Sequence, residues 1–168
     1  VRFNQNGRLY VPWGYVAALQ SDPIEKKPFY HIYPGSKTLT FGMLGCDLHC
    51  PYCQNWNISQ SLRDSEAGAT PFEIRAEEIV DKAVRDGAIC VASSYNEPLI
   101  TSEWAMSIFR LSKAAGLTNL FISNGNATRE VLEYIRPYTD GYNIDLKSMR
   151  DRNYRKLGAT LNHILDGI

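Results

Sequence analysis

The chain has 168 residues, 18 basic and 18 acidic side chains, no formal net charge and 44% hydrophobic content. That length suffices for one domain with a packed core, and the apolar and charged fractions are those of a folded chain. With no block of Lys or Arg there is no phosphate-binding face, which argues against nucleic acid as a partner. No apolar run is long enough to cross a bilayer, which argues against a membrane partner.

Residues 1–37 carry Trp13, Tyr15, Tyr30, Tyr33 and several prolines without a clear period. They are expected to form an irregular N-terminal extension packed on the core. Thr38 to Leu44 is β-rich and leads into three cysteines, Cys46, Cys50 and Cys53, spaced C-x3-C-x2-C. Thr70 and Glu73 have the spacing of a capping box, so a helix is expected to start there. Its apolar face is Ile79, Val80, Ala83 and Val84, and Gly87 closes it. Ala88 to Ser94 predicts a buried strand. Trp104, Ala105, Ile108, Phe109, Leu111 and Ala115 predict a helix that stops at Gly116, with its aromatics in the core. Asn119 to Ser123 predicts a third strand, Thr128 to Arg136 a third helix, and Tyr142 to Leu146 a fourth strand.

Strands alternating with helices imply an α/β fold with parallel strands and right-handed crossovers. In such folds function collects at the carboxyl ends of the strands. Each predicted strand runs into a chemically unusual segment. These are the cysteine loop, Tyr95-Asn96-Glu97-Pro98, Ser123-Asn124-Gly125-Asn126 and Asp145-Leu146-Lys147. Topology therefore places all four on one edge. Asp145 and Lys147, two apart on an apolar strand, are expected to share a face as a buried pair. Glu97 before Pro98 also fits a helix cap.

Four cysteines are too few for a disulfide scaffold; three are clustered, and Cys90 sits alone in an apolar run, as a core residue would. This usage points to a metal site in a reducing, cytoplasmic compartment. Thiolates hold iron–sulfur clusters, normally one per iron. Three of them on a [4Fe-4S] cluster would leave one iron open as a Lewis acid for a chelating ligand, such as an amino acid. The spacing also fits a non-catalytic zinc domain with His49 as fourth ligand.

C-x3-C-x2-C with Tyr52 before the last cysteine resembles the radical S-adenosylmethionine (radical SAM) superfamily. The run from Val11 through Gln60, with SYNEP, SNGN and DLKS, resembles the radical SAM member of the AmmeMemoRadiSam system, a group similar to pyruvate formate-lyase activating enzymes. The resemblance implies a [4Fe-4S] cluster on Cys46, Cys50 and Cys53. It also implies reductive cleavage of S-adenosyl-L-methionine to a 5′-deoxyadenosyl radical that abstracts hydrogen from a substrate. By the same resemblance Tyr52 lies beside the adenine and Glu97 near the SAM amino group. Asp145 and Lys147 lie near the ribose and carboxylate, and Ser123 and Asn124 match the third-strand motif.

The implied partners are an electron donor such as flavodoxin or ferredoxin, and a protein substrate or AmmeMemoRadiSam companion proteins. A glycyl-radical-enzyme activating role is the alternative. The sequence departs from the activating enzymes at Tyr95-Asn96, where they carry two glycines, and at Ile122, where they carry an acidic residue. The family fold is a partial (β/α) barrel of six units. Only four are legible here and the chain does not start with methionine, so residues 38–168 are expected to be a core truncated after the fourth unit. No residue identifies the substrate or a catalytic group.

Overall fold

The computed structural model describes residues 2–168. β1 (Phe3–Gln5) and β2 (Arg8–Tyr10) form a hairpin through Asn6-Gly7, both at positive φ as a tight two-residue turn requires. β3 (Tyr15–Val16) and β4 (Ala18–Pro23) follow, then β5 (Lys37–Gly42), the cysteine loop and the one-turn helix α1 (Trp56–Ser59). Next come β6 (Phe72–Glu73), α2 (Ala76–Arg85), β7 (Cys90–Ser93), α3 (Ser102–Ala114), β8 (Thr118–Ser123) and α4 (Arg129–Ile135). β9 (Gly141–Ile144), α5 (Asp151–Leu157) and α6 (Leu161–Asp166) complete the chain.

Five strands make one sheet in the order β4-β5-β7-β8-β9. β4 is antiparallel to β5, and the other pairs are parallel. A strand's two-residue period sends neighbouring side chains to opposite faces, and both faces here are covered. Leu39, Phe41, Val91 and Phe121 pack on one face with Ile79 and Ala83 of α2 and Trp104, Ile108 and Phe109 of α3. Cys90, Ala92 and Leu120 face the other way, and Ile24, Phe29 and Ile32 cover them. Cys90 is thus a core residue.

Residues 2–37 are therefore more ordered than the sequence suggested. β4 extends the sheet, and residues 24–32 roof its second face. Neither feature has a local period to betray it, because β4 is half exposed and the roof is held by single side chains. The second helix also starts later than the Thr70/Glu73 spacing suggested. Phe72 and Glu73 instead pair with Val16 and Tyr15. α2 begins at Ala76, where the Glu78 carboxylate accepts the Arg75 N–H at 2.9 Å. The last strand is shorter than expected, since the chain leaves the sheet after Ile144.

Candidate functional site

The register pairs Phe41 with Ser93, Ser93 with Phe121 and Phe121 with Tyr142, so the carboxyl ends of β5, β7, β8 and β9 lie side by side. A cavity of about 570 Å³ opens over this edge. Every residue expected to hold the cluster or SAM lines it. Cys46, Cys50, Tyr52 and Cys53 come from the loop after β5, and Glu97 follows β7. Ser123 and Asn124 end β8, and Asp145 and Lys147 follow β9.

The loop is held at both ends. The Gly45 N–H donates to Ile58 O at 3.0 Å, and the His49 N–H to Leu157 O at 2.9 Å. Cys46 is half buried, with the Leu48 N–H 3.4 Å and Asn124 Nδ2 3.8 Å from its sulfur. Cys53 Sγ is 3.3 Å from Ser59 Oγ. Burial pushes the Cys46 thiol up to about 12, against the Leu48 N–H, which lowers it. Burial also raises Cys50, and the Lys147 charge opposes the rise. His49 is exposed, with Arg63 donating to its Nε2 at 2.9 Å, and it does not line the cavity. Among the described residues no three His, Cys, Asp or Glu side chains converge to hold one metal ion.

Glu97 is 2% exposed, and its carboxylate accepts three protein donors. Oε1 takes the Leu99 N–H at 3.0 Å and the Ser123 hydroxyl at 2.7 Å, and Oε2 takes the Asn124 N–H at 2.8 Å. It therefore caps the turn at Pro98–Thr101 and ties the end of β7 to the end of β8. Burial first, then the nearby Asp47 charge, pushes its carboxyl up to about 8 against the pull of these donors. Three of about four lone-pair positions are in use, which leaves one for a ligand.

Asp145 and Lys147 do meet, with Lys147 Nζ 2.9 Å from Asp145 Oδ2, but not as a buried pair on a strand. They lie past the end of β9, and the Asp145 side chain is 46% exposed. The Lys147 N–H donates to the hydroxyl of the buried Tyr154 at 2.8 Å, which turns the chain out of the sheet. Tyr52 is 60% exposed and presents its ring at the cavity rim.

Sequence reasoning missed several residues here. Asp47, within the cysteine loop, accepts from Asn124 Nδ2 at 2.8 Å and from Asn126 Nδ2. A lone Asp in a loop carries no signal that would announce such contacts. Tyr95 lines the cavity with φ at +72°, a left-handed conformation unusual for a bulky residue. The buried Lys27 braces it, with Nζ 3.2 Å from the Tyr95 hydroxyl and 4.3 Å from the ring centroid. The departure from glycine at Tyr95 was visible, but its partner 68 residues away was not.

Residues 41–168 match the model of the Radical SAM superfamily. An uncharacterized protein of Methanocaldococcus jannaschii is 36% identical over 167 residues, which span 98% of this chain and 48% of that protein. The pyruvate formate-lyase-activating enzyme of Listeria monocytogenes is 29% identical over 138 residues, 77% of this chain and 54% of that enzyme. The pyruvate formate-lyase 1-activating enzyme of Escherichia coli is 28% identical over the same length, 77% of this chain and 53% of its own. The chain thus spans about half the length of the curated relatives it matches. The crystal structure of QueE from Escherichia coli superposes with a TM-score of 0.55 at 15% identity, covering 92% of this chain and 67% of that one. This last likeness concerns the fold. No helix among the described residues is long and apolar enough to cross a membrane.

Proposed function

The chain belongs to the Radical SAM superfamily, and on that premise we propose that Cys46, Cys50 and Cys53 hold a [4Fe-4S] cluster at which S-adenosylmethionine is cleaved to start a hydrogen abstraction. One observation carries the reading: the three cysteines and residues of the other three strand-end segments converge on a single cavity of about 570 Å³. The donor set fits. Three cysteine sulfurs lining one cavity supply one thiolate to each of three irons and leave the fourth iron open. When bound, the cluster supplies an electron that breaks the sulfur–C5′ bond of SAM, giving methionine and the 5′-deoxyadenosyl radical.

The protein's own groups bind and orient. Lys147, held by Asp145 and Tyr154, donates to the SAM carboxylate or a ribose oxygen. Burial pulls its ammonium down, and the Asp145 hydrogen bond and charge outweigh that, so it stays protonated. Glu97 offers its remaining lone pair to the amino group, while Ser123 and Asn124 hold Glu97 in place. Tyr52 covers the adenine. The sheet then forms part of a partial (β/α) barrel. The electron comes from a donor such as flavodoxin or ferredoxin, in a reducing, cytoplasmic setting.

The similarity to pyruvate formate-lyase-activating enzymes favours a protein glycine as the hydrogen donor. The motif resemblance to the AmmeMemoRadiSam group favours a target handled with companion proteins. Anaerobic turnover with deuterated candidates, tracking label into 5′-deoxyadenosine, separates the two. The class itself is tested by anaerobic reconstitution. Brown protein with about four irons per chain is expected, lost in Cys46→Ala, Cys50→Ala or Cys53→Ala and kept in Cys90→Ala. Colourless protein with one tightly held zinc, or loss of iron in a folded Cys90→Ala, would overturn it.

A further inference from the structure

The Asp47 carboxylate is committed to two side chains nearly 80 positions away. Asn124 Nδ2 donates to Oδ1 at 2.8 Å, and Asn126 Nδ2 donates to Oδ2. The same Asn124 amide lies 3.8 Å from Cys46 Sγ, and Asn124 Oδ1 accepts the Asn126 N–H at 2.8 Å. Every polar atom of the Asn124 side chain is thereby used, so its orientation is set: oxygen toward Asn126, nitrogen toward Asp47 and Cys46. Asn124 is in turn anchored by Glu97, which takes its N–H. The chain Glu97–Asn124–Asp47 runs from the end of β7 through the end of β8 into the cysteine loop.

We propose that Asp47 is a positioning residue: it pins the cysteine loop to the loop after β8 and so fixes the Cys46 thiol at the cavity. It acts through Cys46 and touches no reacting atom. Two consequences follow. Without Asp47 the cysteine loop loses its side-chain tie to the loop after β8 and keeps those at Gly45, Leu48, His49 and Cys53, so Cys46 moves more freely. The Asn124 amide also turns away from the sulfur, and hydrogen bonds to ligand sulfurs help set a cluster's potential and spectrum. For the loaded protein the inference rests on the cluster reading above; for the bare thiol it does not.

The experiment therefore has two arms. In the first, the protein without metal is pulse-alkylated with iodoacetamide, and Cys46 is compared with Cys53 in the same molecule by mass spectrometry. Asp47→Ala should alkylate Cys46 several-fold faster while Cys53 holds its rate. Asn126→Ala, which removes one leg of the clamp and leaves the carboxylate to water, should give a smaller rise in the same direction. It serves as the probe if Asp47→Ala fails to fold. The double exchange Asp47→Asn with Asn126→Asp rebuilds the 47–126 bond with donor and acceptor reversed, leaves Asn124 Nδ2 donating to the oxygen at 47, and should restore the slow rate. In the second arm, the reconstituted Asp47→Ala protein should show altered electron paramagnetic resonance of the reduced cluster, and the double exchange should bring it back toward wild type. An unchanged Cys46 rate in both single variants overturns the clamp, whatever the cluster does. Faster alkylation that the double exchange reverses, in a protein that assembles no cluster, keeps the clamp and removes the cluster reading.

Discussion

Gly42 ends β5 just before the cysteine loop, and the structure leaves it no room for a side chain. A Cβ there would stand 2.5 Å from Ser94 O and 2.9 Å from both Cβ and Cδ2 of Tyr95. Carbon–oxygen contacts normally begin at about 3.3 Å, so the shortfall against Ser94 O is roughly 0.8 Å. Neither neighbour yields easily. The Ser94 N–H is bonded to Phe41 O at 3.0 Å, and the Tyr95 ring is braced by buried Lys27. Overpacking a tight site costs about 1–3 kcal/mol, and with both exits blocked Gly42→Ala should fall at the upper end, about 3 kcal/mol. For a urea m-value of about 1–3 kcal/mol/M this lowers the midpoint by about 1–3 M. Urea unfolding followed by circular dichroism reads the shift. Gly68→Ala, where an added Cβ meets nothing within 4 Å, is the control and should stay within about 0.5 kcal/mol of wild type. Tyr95→Gly in the Gly42→Ala background removes two of the three contacts and relieves a positive φ, so the pair should couple favourably by about 1 kcal/mol. A Gly42→Ala protein within about 0.5 kcal/mol of wild type would refute the reasoning, since the ends of β5 and β7 would then be free to part.

Other changes read other parts of the site. Glu97→Ala leaves the Leu99 and Asn124 N–H groups and the Ser123 hydroxyl without their acceptor, and should cost about 3 kcal/mol in the same assay; a loss under about 1 kcal/mol would show that water takes over. Tyr154→Phe removes the acceptor of the Lys147 N–H and should cost about 1 kcal/mol of stability, with no loss if the loop after β9 rearranges. Lys147→Met should weaken SAM binding by about 1.5–3 kcal/mol in calorimetry on reconstituted protein, with iron content unchanged; equal affinity would remove its role.

The parts legible in the sequence were those written in short-range patterns. The cysteine spacing occupies eight consecutive residues, and the helical faces of α2, α3 and α4 repeat every three or four. The parallel order of β5, β7, β8 and β9 then follows from crossover rules that need no coordinates. With that order, the meeting of the cysteines, Glu97, Asn124 and Lys147 at one edge was a deduction, and the cavity lining agrees with it. The capping box at Thr70 misled because a two-residue pairing with Tyr15–Val16, far away in the chain, claimed Phe72 and Glu73 first.

What only the tertiary structure decided is which polar atoms are already spent. From sequence, Glu97, Asn124 and Asp145 are equally free to meet a ligand. In the fold, Glu97 and Asn124 are largely consumed by one another and by Asp47, while Asp145 and Lys147 stay exposed enough to respond to one. The buried Lys27 behind Tyr95 and the roof of Ile24, Phe29 and Ile32 belong to the same class. Each joins residues some 60 to 100 positions apart, and no local period encodes such a contact. Desolvation makes a buried donor or acceptor costly unless it is paired, so the folded arrangement, not the residue type, sets what each polar group can still do.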